Sequence, residues 1–206
     1  MQVKYYNDLE KFPYIIIDDV YDEWEQKEIC EELDYLCNPR RLIPASIDNG
    51  AATENGELLK FNHCVYLDNV FYERKQSSIL QITEKIFMDD RKIFRDQPHW
   101  YFGDIDKINK HYTQVAYYEN NDEYKSHKDK CDITCLTWFY KEPKRYKGGD
   151  LWFEDFDVSV ECLNNRTLIF PSRIRHAAQP VIMEGHHMGK KYGRFCISQF
   201  MSFEHP

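Results

Sequence analysis

No stretch of this 206-residue chain approaches 18 consecutive apolar residues, the length that a helical membrane span requires. The opening MQVKYYNDLEKF has no apolar core of the kind a secretory signal carries. Internal repeats, low-complexity tracts and clear linkers are also missing. Basic residues are in deficit, with 27 Lys and Arg against 35 Asp and Glu, a formal net charge of -8. Nucleic-acid backbones are held mainly by Lys and Arg, so this balance gives no support to such a partner. The local run of Lys141, Lys144, Arg145 and Lys147 reads as a solvated loop. Cysteines are too few and too scattered for a disulfide framework: Cys30, Cys37, Cys64, Cys131, Cys135, Cys162 and Cys196 make an odd seven. Cys131 and Cys135 stand four apart with no second pair at finger-like spacing, which argues against a structural zinc site. The expectation is a reduced, soluble, cytoplasmic protein with free thiols and no membrane partner. The sequon Asn165-Arg166-Thr167 then carries no weight.

What the chain does contain is apolar and aromatic side chains, at 42% and 16% of residues. That content argues against disorder. Fifteen Tyr and thirteen Phe suit a β-rich domain, because rings pack well on pleated surfaces. The length fits one domain over 1–206, large enough for a real core. Two periodicities divide it. Up to about residue 110 the pattern is mixed. PYIII at 13–17 reads as a strand, and Asp22 reads as a helix N-cap with Glu25 in the reciprocal capping position. That helix is expected to run to about Leu36, burying Ile29, Leu33 and Leu36. Residues 39–60 hold Pro39, Pro44, Gly50 and Gly56 and read as a long irregular loop. Ser77 to Met88 reads as a second helix with Ile79, Ile82 and Ile86 as its apolar stripe. From about 111 to 204 strand follows strand: HYTQVAYYE, ITCLTWFY, DLWFED, VSVECL, RTLIFP, QPVIM and GRFCISQFM. Short strands with regular turn signals predict a sandwich or barrel. The helices before them make the class α+β, mostly β.

The chemistry centres on His127-Lys128-Asp129, just after a predicted strand. In extended chain, residues i and i+2 point the same way, so the imidazole and the carboxylate can reach one metal. His176 follows Asp129 by 47 residues. Two His and one carboxylate on one face leave three positions open, as in non-heme Fe(II) oxygenases. Two open positions suit a chelating keto acid and the third suits dioxygen. His63, His99, His111 and His205 have no partner at ligand spacing, and His186-His187 lies in a Gly-flanked loop; all read as ordinary core or solvated residues.

The surrounding motifs carry a resemblance. QVAYYENNDEYKSHKD at 114–129, GGDLWF at 148–153, TLIFPS at 167–172, HAAQPV at 176–181 and GRFCIS at 193–198 fall in order over about 85 residues. Together they resemble the prolyl-4-hydroxylase-like branch of the 2-oxoglutarate/Fe(II) oxygenases, whose usual strand-then-helix start is matched by PYIIIDDVYDEWE. The resemblance implies a double-stranded β-helix, or jelly roll, with supporting N-terminal helices. It implies hydroxylation of a C–H bond coupled to conversion of 2-oxoglutarate to succinate and carbon dioxide. Fe(II), 2-oxoglutarate and O2 are the implied cofactors, with ascorbate a further candidate. The implied metal ligands are His127, Asp129 and His176, with no catalytic residue beyond them. Arg194 would fork onto the distal carboxylate of 2-oxoglutarate, and Tyr118 would add a hydroxyl to it. Tyr117, expected on the opposite strand face, is the fallback.

Arg194 follows His176 by eighteen positions, where the family spacing is nearer ten, so 183–191 reads as an insertion and Lys190 and Lys191 become rivals. Arg194 is preferred because an unpaired charge within an apolar strand would be costly to bury. Asp129 occupies the position that halogenases of this superfamily leave open for halide. Phe200 stands where nucleic-acid demethylases carry a second Arg. A peptide or amino-acid substrate is therefore expected, prolyl or otherwise. The alternative is a non-catalytic, cupin-like metal- or ligand-binding jelly-roll module, which would need neither Arg194 nor Tyr118.

Overall fold

The computed structural model describes residues 1–8, 10–38 and 41–204. In chain order, the first part holds β1 (Gln2–Tyr6), β2 (Tyr14–Asp18), α1 (Glu23–Leu36), β3 (Ile43–Pro44), β4 (Thr53–Glu54), β5 (Glu57–Leu58), β6 (Lys60–Phe61) and β7 (His63–Tyr66). Three helices follow, α2 (Ser78–Ile82), α3 (Met88–Arg95) and α4 (Trp100–Gly103). The second part holds β8 (Lys110–Tyr118), β9 (Glu123–His127), β10 (Ile133–Phe139), β11 (Tyr146–Gly148), β12 (Leu151–Phe153) and β13 (Val158–Val160). It ends with β14 (Arg166–Pro171), β15 (His176–Ala178), β16 (Val181–Met183) and β17 (Arg194–Ser202).

Two antiparallel sheets build the jelly roll. The larger runs β1-β2-β14-β10-β17-β8-β7-β3, and the smaller runs β13-β12-β15-β9-β6. Alternation along each long strand sorts side chains between two cores. In β2, Ile15 and Ile17 face the helices, while Ile16 faces the smaller sheet. In β8, Val115 and Tyr117 go to the helix side, Ala116 and Tyr118 to the inter-sheet side. Both faces of the large sheet are thus covered, so its strands read as continuous apolar runs rather than alternating ones.

The helix face of that sheet is closed by α1. Asp22 accepts from the backbone of Glu25 at 2.9 Å and Glu25 returns a bond to the backbone of Asp22 at 2.8 Å, the expected reciprocal cap. Ile29, Leu33 and Leu36 are its buried stripe. The helix expected over 77–88 is broken. Ser77 caps α2, which gives way at Thr83 to a 3-10 turn over Thr83–Phe87 before α3 starts. Ile79 and Ile86 are buried as expected and Ile82 is partly so. The break has a local cause: the Thr83 hydroxyl back-bonds to the carbonyl of Ile79 at 2.7 Å, competing with the helical ladder. Pro39, Arg40 and His205 lie outside the described residues. Within 41–60 no element exceeds three residues, in keeping with the irregular reading, although β6 docks onto β9.

Candidate active site

The smaller sheet sets His127 directly opposite His176, because β9 and β15 pair antiparallel in that register. His127 closes β9, and Asp129 sits in the bend beyond it rather than on the same strand. The bend is pinned: the Asp129 amide donates to the carbonyl of Ser172 at 3.0 Å, and the Ser172 amide donates to the carbonyl of Asp132 at 3.0 Å. The i, i+2 expectation therefore reaches the right convergence by another route. Each imidazole Nδ1 lies 2.8 Å from a carbonyl two residues earlier, Lys125 for His127 and Ile174 for His176. A carbonyl can only accept, so Nδ1 carries the proton and Nε2 keeps its lone pair. Those two Nε2 atoms face Asp129, at 3.6 Å from Oδ1 and 3.5 Å from Oδ2. Ligand atoms at right angles around a metal at about 2.1 Å stand about 3 Å apart, so the three side chains fit one divalent ion with little movement.

Protonation suits the same role. Burial alone would raise the Asp129 carboxyl, but the facing His176 and His127 and the Thr134 hydroxyl pull it down to about 2. Burial and the neighbouring His127 push His176 down to about 4. At neutral pH an anionic oxygen and a neutral His176 nitrogen are presented without competition from protons. Thr134 donates its one hydroxyl proton to Asp129 Oδ2 at 2.7 Å, which leaves Ser172 Oγ, 2.8 Å away, to donate to Thr134. On the other side the Tyr124 ring stacks on His127, centroids 3.5 Å apart, and the Tyr124 hydroxyl accepts from the Ala52 amide at 2.9 Å.

Arg194 pairs with Tyr118 across β17 and β8, on the strand face that looks towards the histidines. It is only 1% exposed. Its guanidinium lies 4.0 Å above the Tyr118 ring and donates to the Gly149 carbonyl. The Gly148-Gly149 turn makes this approach possible: both residues have positive φ, and a Cβ on Gly148 would lie 2.4 Å from the Pro180 carbonyl oxygen. Nε of Arg194 is buried without a partner, as is Nε1 of Trp138. Arg194, Tyr118, Trp138, His127, Asp129 and His176 line one inner cavity. The rivals lie elsewhere. Lys190 is exposed, Lys191 donates to the Asp34 carbonyl at 2.7 Å, and Tyr117 bonds Glu119 and the Gly193 amide on the helix-facing side.

Outside the inner cavity opens one of ≈ 980 Å³, walled by His127 and Asp129, by 47–54 from the irregular segment, and by Tyr112, Arg175 and Phe200. Lys60 lines both. Burial holds its ammonium below the usual lysine range. Sequence reading passed over Lys60, Trp138 and Thr134. Lys60 hid in a segment read as loop, and the other two in strands whose parity was not assigned. Tyr124 was inside a quoted motif but received no role. All seven cysteines are free, and no described helix is long and apolar enough to cross a membrane. The Asn165 of the sequon is buried.

A jelly roll that gathers two imidazoles and a carboxylate at one point, with a buried guanidinium behind them, defines the class of non-heme iron oxygenases. Residues 113–202 match the family described as the 2OG-Fe(II) oxygenase superfamily. Over these residues the chain is similar to the 2-oxoglutarate-dependent dioxygenases of that superfamily, which use Fe(II), 2-oxoglutarate and O2. No curated protein matches it. Its fold is that of prolyl hydroxylases. The Trichoplax adhaerens prolyl hydroxylase in complex with a hypoxia inducible factor oxygen degradation domain peptide fragment superposes with a TM-score of 0.65 at 14% identity, over 92% of this chain and 83% of that one. A Pseudomonas putida prolyl-4-hydroxylase gives 0.57 at 14%, over 95% of each chain. The viral collagen prolyl hydroxylase of Paramecium Bursaria Chlorella virus-1 gives 0.55 at 16%, over 93% and 96%.

Proposed function

We propose that the enzyme hydroxylates a C–H bond of an amino-acid residue, prolyl or other, free or within a peptide. The observation that carries this reading is the pairing of the His127–Asp129–His176 cluster with the buried Arg194, which has no carboxylate partner among the described residues, in one cavity. His127, Asp129 and His176 would hold the iron. When bound, iron with 2-oxoglutarate and O2 supplies the oxidising chemistry, which releases succinate and carbon dioxide. The chain's own contribution is positional. Lys125 and Ile174 carbonyls fix both imidazole tautomers, Thr134 and Ser172 fix the carboxylate, and Arg194 anchors the distal carboxylate of 2-oxoglutarate, with Tyr118 as its platform and second contact. The large sheet and Trp138 keep bulk water from that end.

The amino-acid reading is supported by the names of the structural neighbours, one in complex with a hypoxia inducible factor peptide fragment and one a collagen prolyl hydroxylase. The net charge of -8 and Phe200 in the cavity wall speak against a nucleic acid. The seven free thiols fit a cytoplasmic setting, and we read 1–206 as one catalytic domain, because β1 and β2 complete the sheet that carries Arg194. The test is 2-oxoglutarate-dependent succinate formation across Pro- and Lys-containing peptides, free amino acids and methylated oligonucleotides, with His176→Ala as control. Near-normal turnover in His176→Ala removes the metal assignment. Stimulation by oligonucleotides alone removes the substrate class, and failure to consume 2-oxoglutarate would return the fold to a binding module.

A further inference from the structure

We propose that Lys60 is a second anion-binding group of the active site and holds a carboxylate of the substrate. The proposal rests on the oxygenase reading above and narrows its substrate class.

Lys60 is 4% exposed, on the strand β6 that pairs with Tyr124 of β9. Its Nζ lies 5.2 Å from the centroid of the Tyr124 ring, the ring stacked on His127. The strong contact it makes is to a neutral atom, the amide oxygen of Gln114 at 2.5 Å. Gln114 is in turn fixed by donating to the Asn49 carbonyl at 3.2 Å. An ammonium carries three protons, and among the described residues no Asp or Glu forms an ion pair with this one. Buried lysines without an anionic partner are rare because the desolvated charge is costly. Here the side chain instead reaches the boundary between the inner cavity of Arg194 and the outer cavity of ≈ 980 Å³.

A charge count says whose anion is missing. With a divalent iron, the Asp129 carboxylate, a doubly charged keto diacid and the Arg194 guanidinium in place, the charges cancel. Lys60 remains as one surplus positive charge. Both ends of 2-oxoglutarate already have partners, the keto-acid end at the metal and the distal end at Arg194. The remaining cations on the outer wall do not compete: Arg175 is paired with Glu154 at 3.4 Å, and Lys128 and Lys130 are exposed. The unmatched cation therefore faces the substrate, and the anion that fits is a carboxylate close to the hydroxylated carbon. A free amino acid, a C-terminal residue or an acidic side chain meets that requirement. An internal prolyl residue in a neutral peptide does not.

The experiment uses the full chain loaded with Mn(II) and 2-oxoglutarate without oxygen, and reads proton relaxation of two small probes, propionate and propionamide. These are nearly equal in size and differ in charge. The expected result is that propionate is relaxed at concentrations at least tenfold below propionamide. Lys60→Met should abolish that preference and Lys60→Arg should keep it. Gln114→Glu, which supplies an internal carboxylate while leaving Lys60 in place, should abolish it too, and this distinguishes charge from mere packing. Equal relaxation by both probes, or a preference surviving Lys60→Met, overturns the proposal. So does a Lys60→Met protein whose affinity for 2-oxoglutarate falls tenfold or more, because the carboxylate held would then be the co-substrate's. Absence of any 2-oxoglutarate binding in the unsubstituted protein would instead strike the oxygenase reading itself.

Discussion

Replacing Arg194 by Met should change stability and ligand affinity in different ways, and the contrast tests why a full positive charge is buried in an apolar strand. Among the described residues the guanidinium contacts the Gly149 carbonyl, the Cys162 sulfur and the Tyr118 ring. The ring contact contributes about 0.5–2 kcal/mol, and it is set against the desolvation of an unpaired charge. Met has a similar reach and no charge, so the ligand-free variant should melt within about 5 °C of the original, at roughly 2–4 °C per kcal/mol for a chain of this size. Ligand binding should behave differently. A charge-assisted bond contributes about 1.5–3 kcal/mol, so losing the fork should weaken 2-oxoglutarate binding by roughly ten- to a hundred-fold or more at about 1.4 kcal/mol per decade. With an inert metal and 2-oxoglutarate at about 100 times its dissociation constant, the original protein gains about 2.7 kcal/mol, or about 5–11 °C. A variant weakened a hundred-fold gains only about 0.4 kcal/mol at that concentration, or about 1–2 °C. Paired thermal scans with and without ligand read both numbers. The reasoning is refuted if Arg194→Met keeps the ligand-induced shift. It is equally refuted if Lys190→Ala or Lys191→Ala removes it, since those side chains lie outside the cavity.

Three further outcomes are expected. Thr134→Val deletes the 2.7 Å bond to Asp129 and should lower metal affinity about 10–100-fold, read by metal titration, with unchanged affinity counting against a positioning role. Asn165→Ala should cost about 2–4 kcal/mol in denaturant unfolding, because the buried Asn165 amide satisfies both the N–H and the carbonyl of Tyr21 at 3.0 and 2.8 Å; Asn165→Gly should cost less than the Ala variant, since φ at this position is +58°. Limited proteolysis should cut first within 39–60 and be suppressed when substrate joins 2-oxoglutarate and an inert metal, because between 41 and 60 no element exceeds three residues while 47–54 wall the outer cavity; equal cutting in both states would count against closure.

Much of the fold was legible because its largest energies are local patterns. The α1 boundaries follow from the capping pair Asp22 and Glu25 and from an apolar spacing that tertiary packing did not override. The long strands of the larger sheet follow from β-branched and aromatic runs between turn residues. What the sequence hid were elements that contacts create. The strand EYKSH, β9, is polar and has little intrinsic β preference. It is a strand because β15 and β6 flank it on either side and supply the backbone partners. Three-residue β15 and the two-residue strands of 43–61 are too short to show a period of two. The break in the 77–88 helix comes from one hydroxyl, Thr83, which apolar spacing does not register.

The site was legible to a different depth on each of its walls, and the reason is parity. Motif spacing brought His127, Asp129, His176 and Arg194 forward, and the structure gathers all four around one cavity. It could not say which members of a buried strand face that cavity, because β8, β10 and β17 are apolar on both sides and carry no alternation to read. Pairing supplies what composition withholds. Since Arg194 stands opposite Tyr118, and Trp138 opposite Cys196, the inward face of the larger sheet is fixed for every strand at once. On that ground Tyr118, the tyrosine preferred from sequence, lines the site and Tyr117, the fallback, lies on the helix-facing side. The same step exposes Trp138, whose unpartnered indole N–H no motif had marked. Lys60 lies one strand further out, on a segment whose order comes entirely from docking to β9. The residues proposed to hold iron and co-substrate thus sit in motifs whose spacing the sequence shows, although β9 and β15, the strands that carry His127 and His176, do not show themselves there. The one proposed to choose the substrate sits on an element that exists only once the rest has folded.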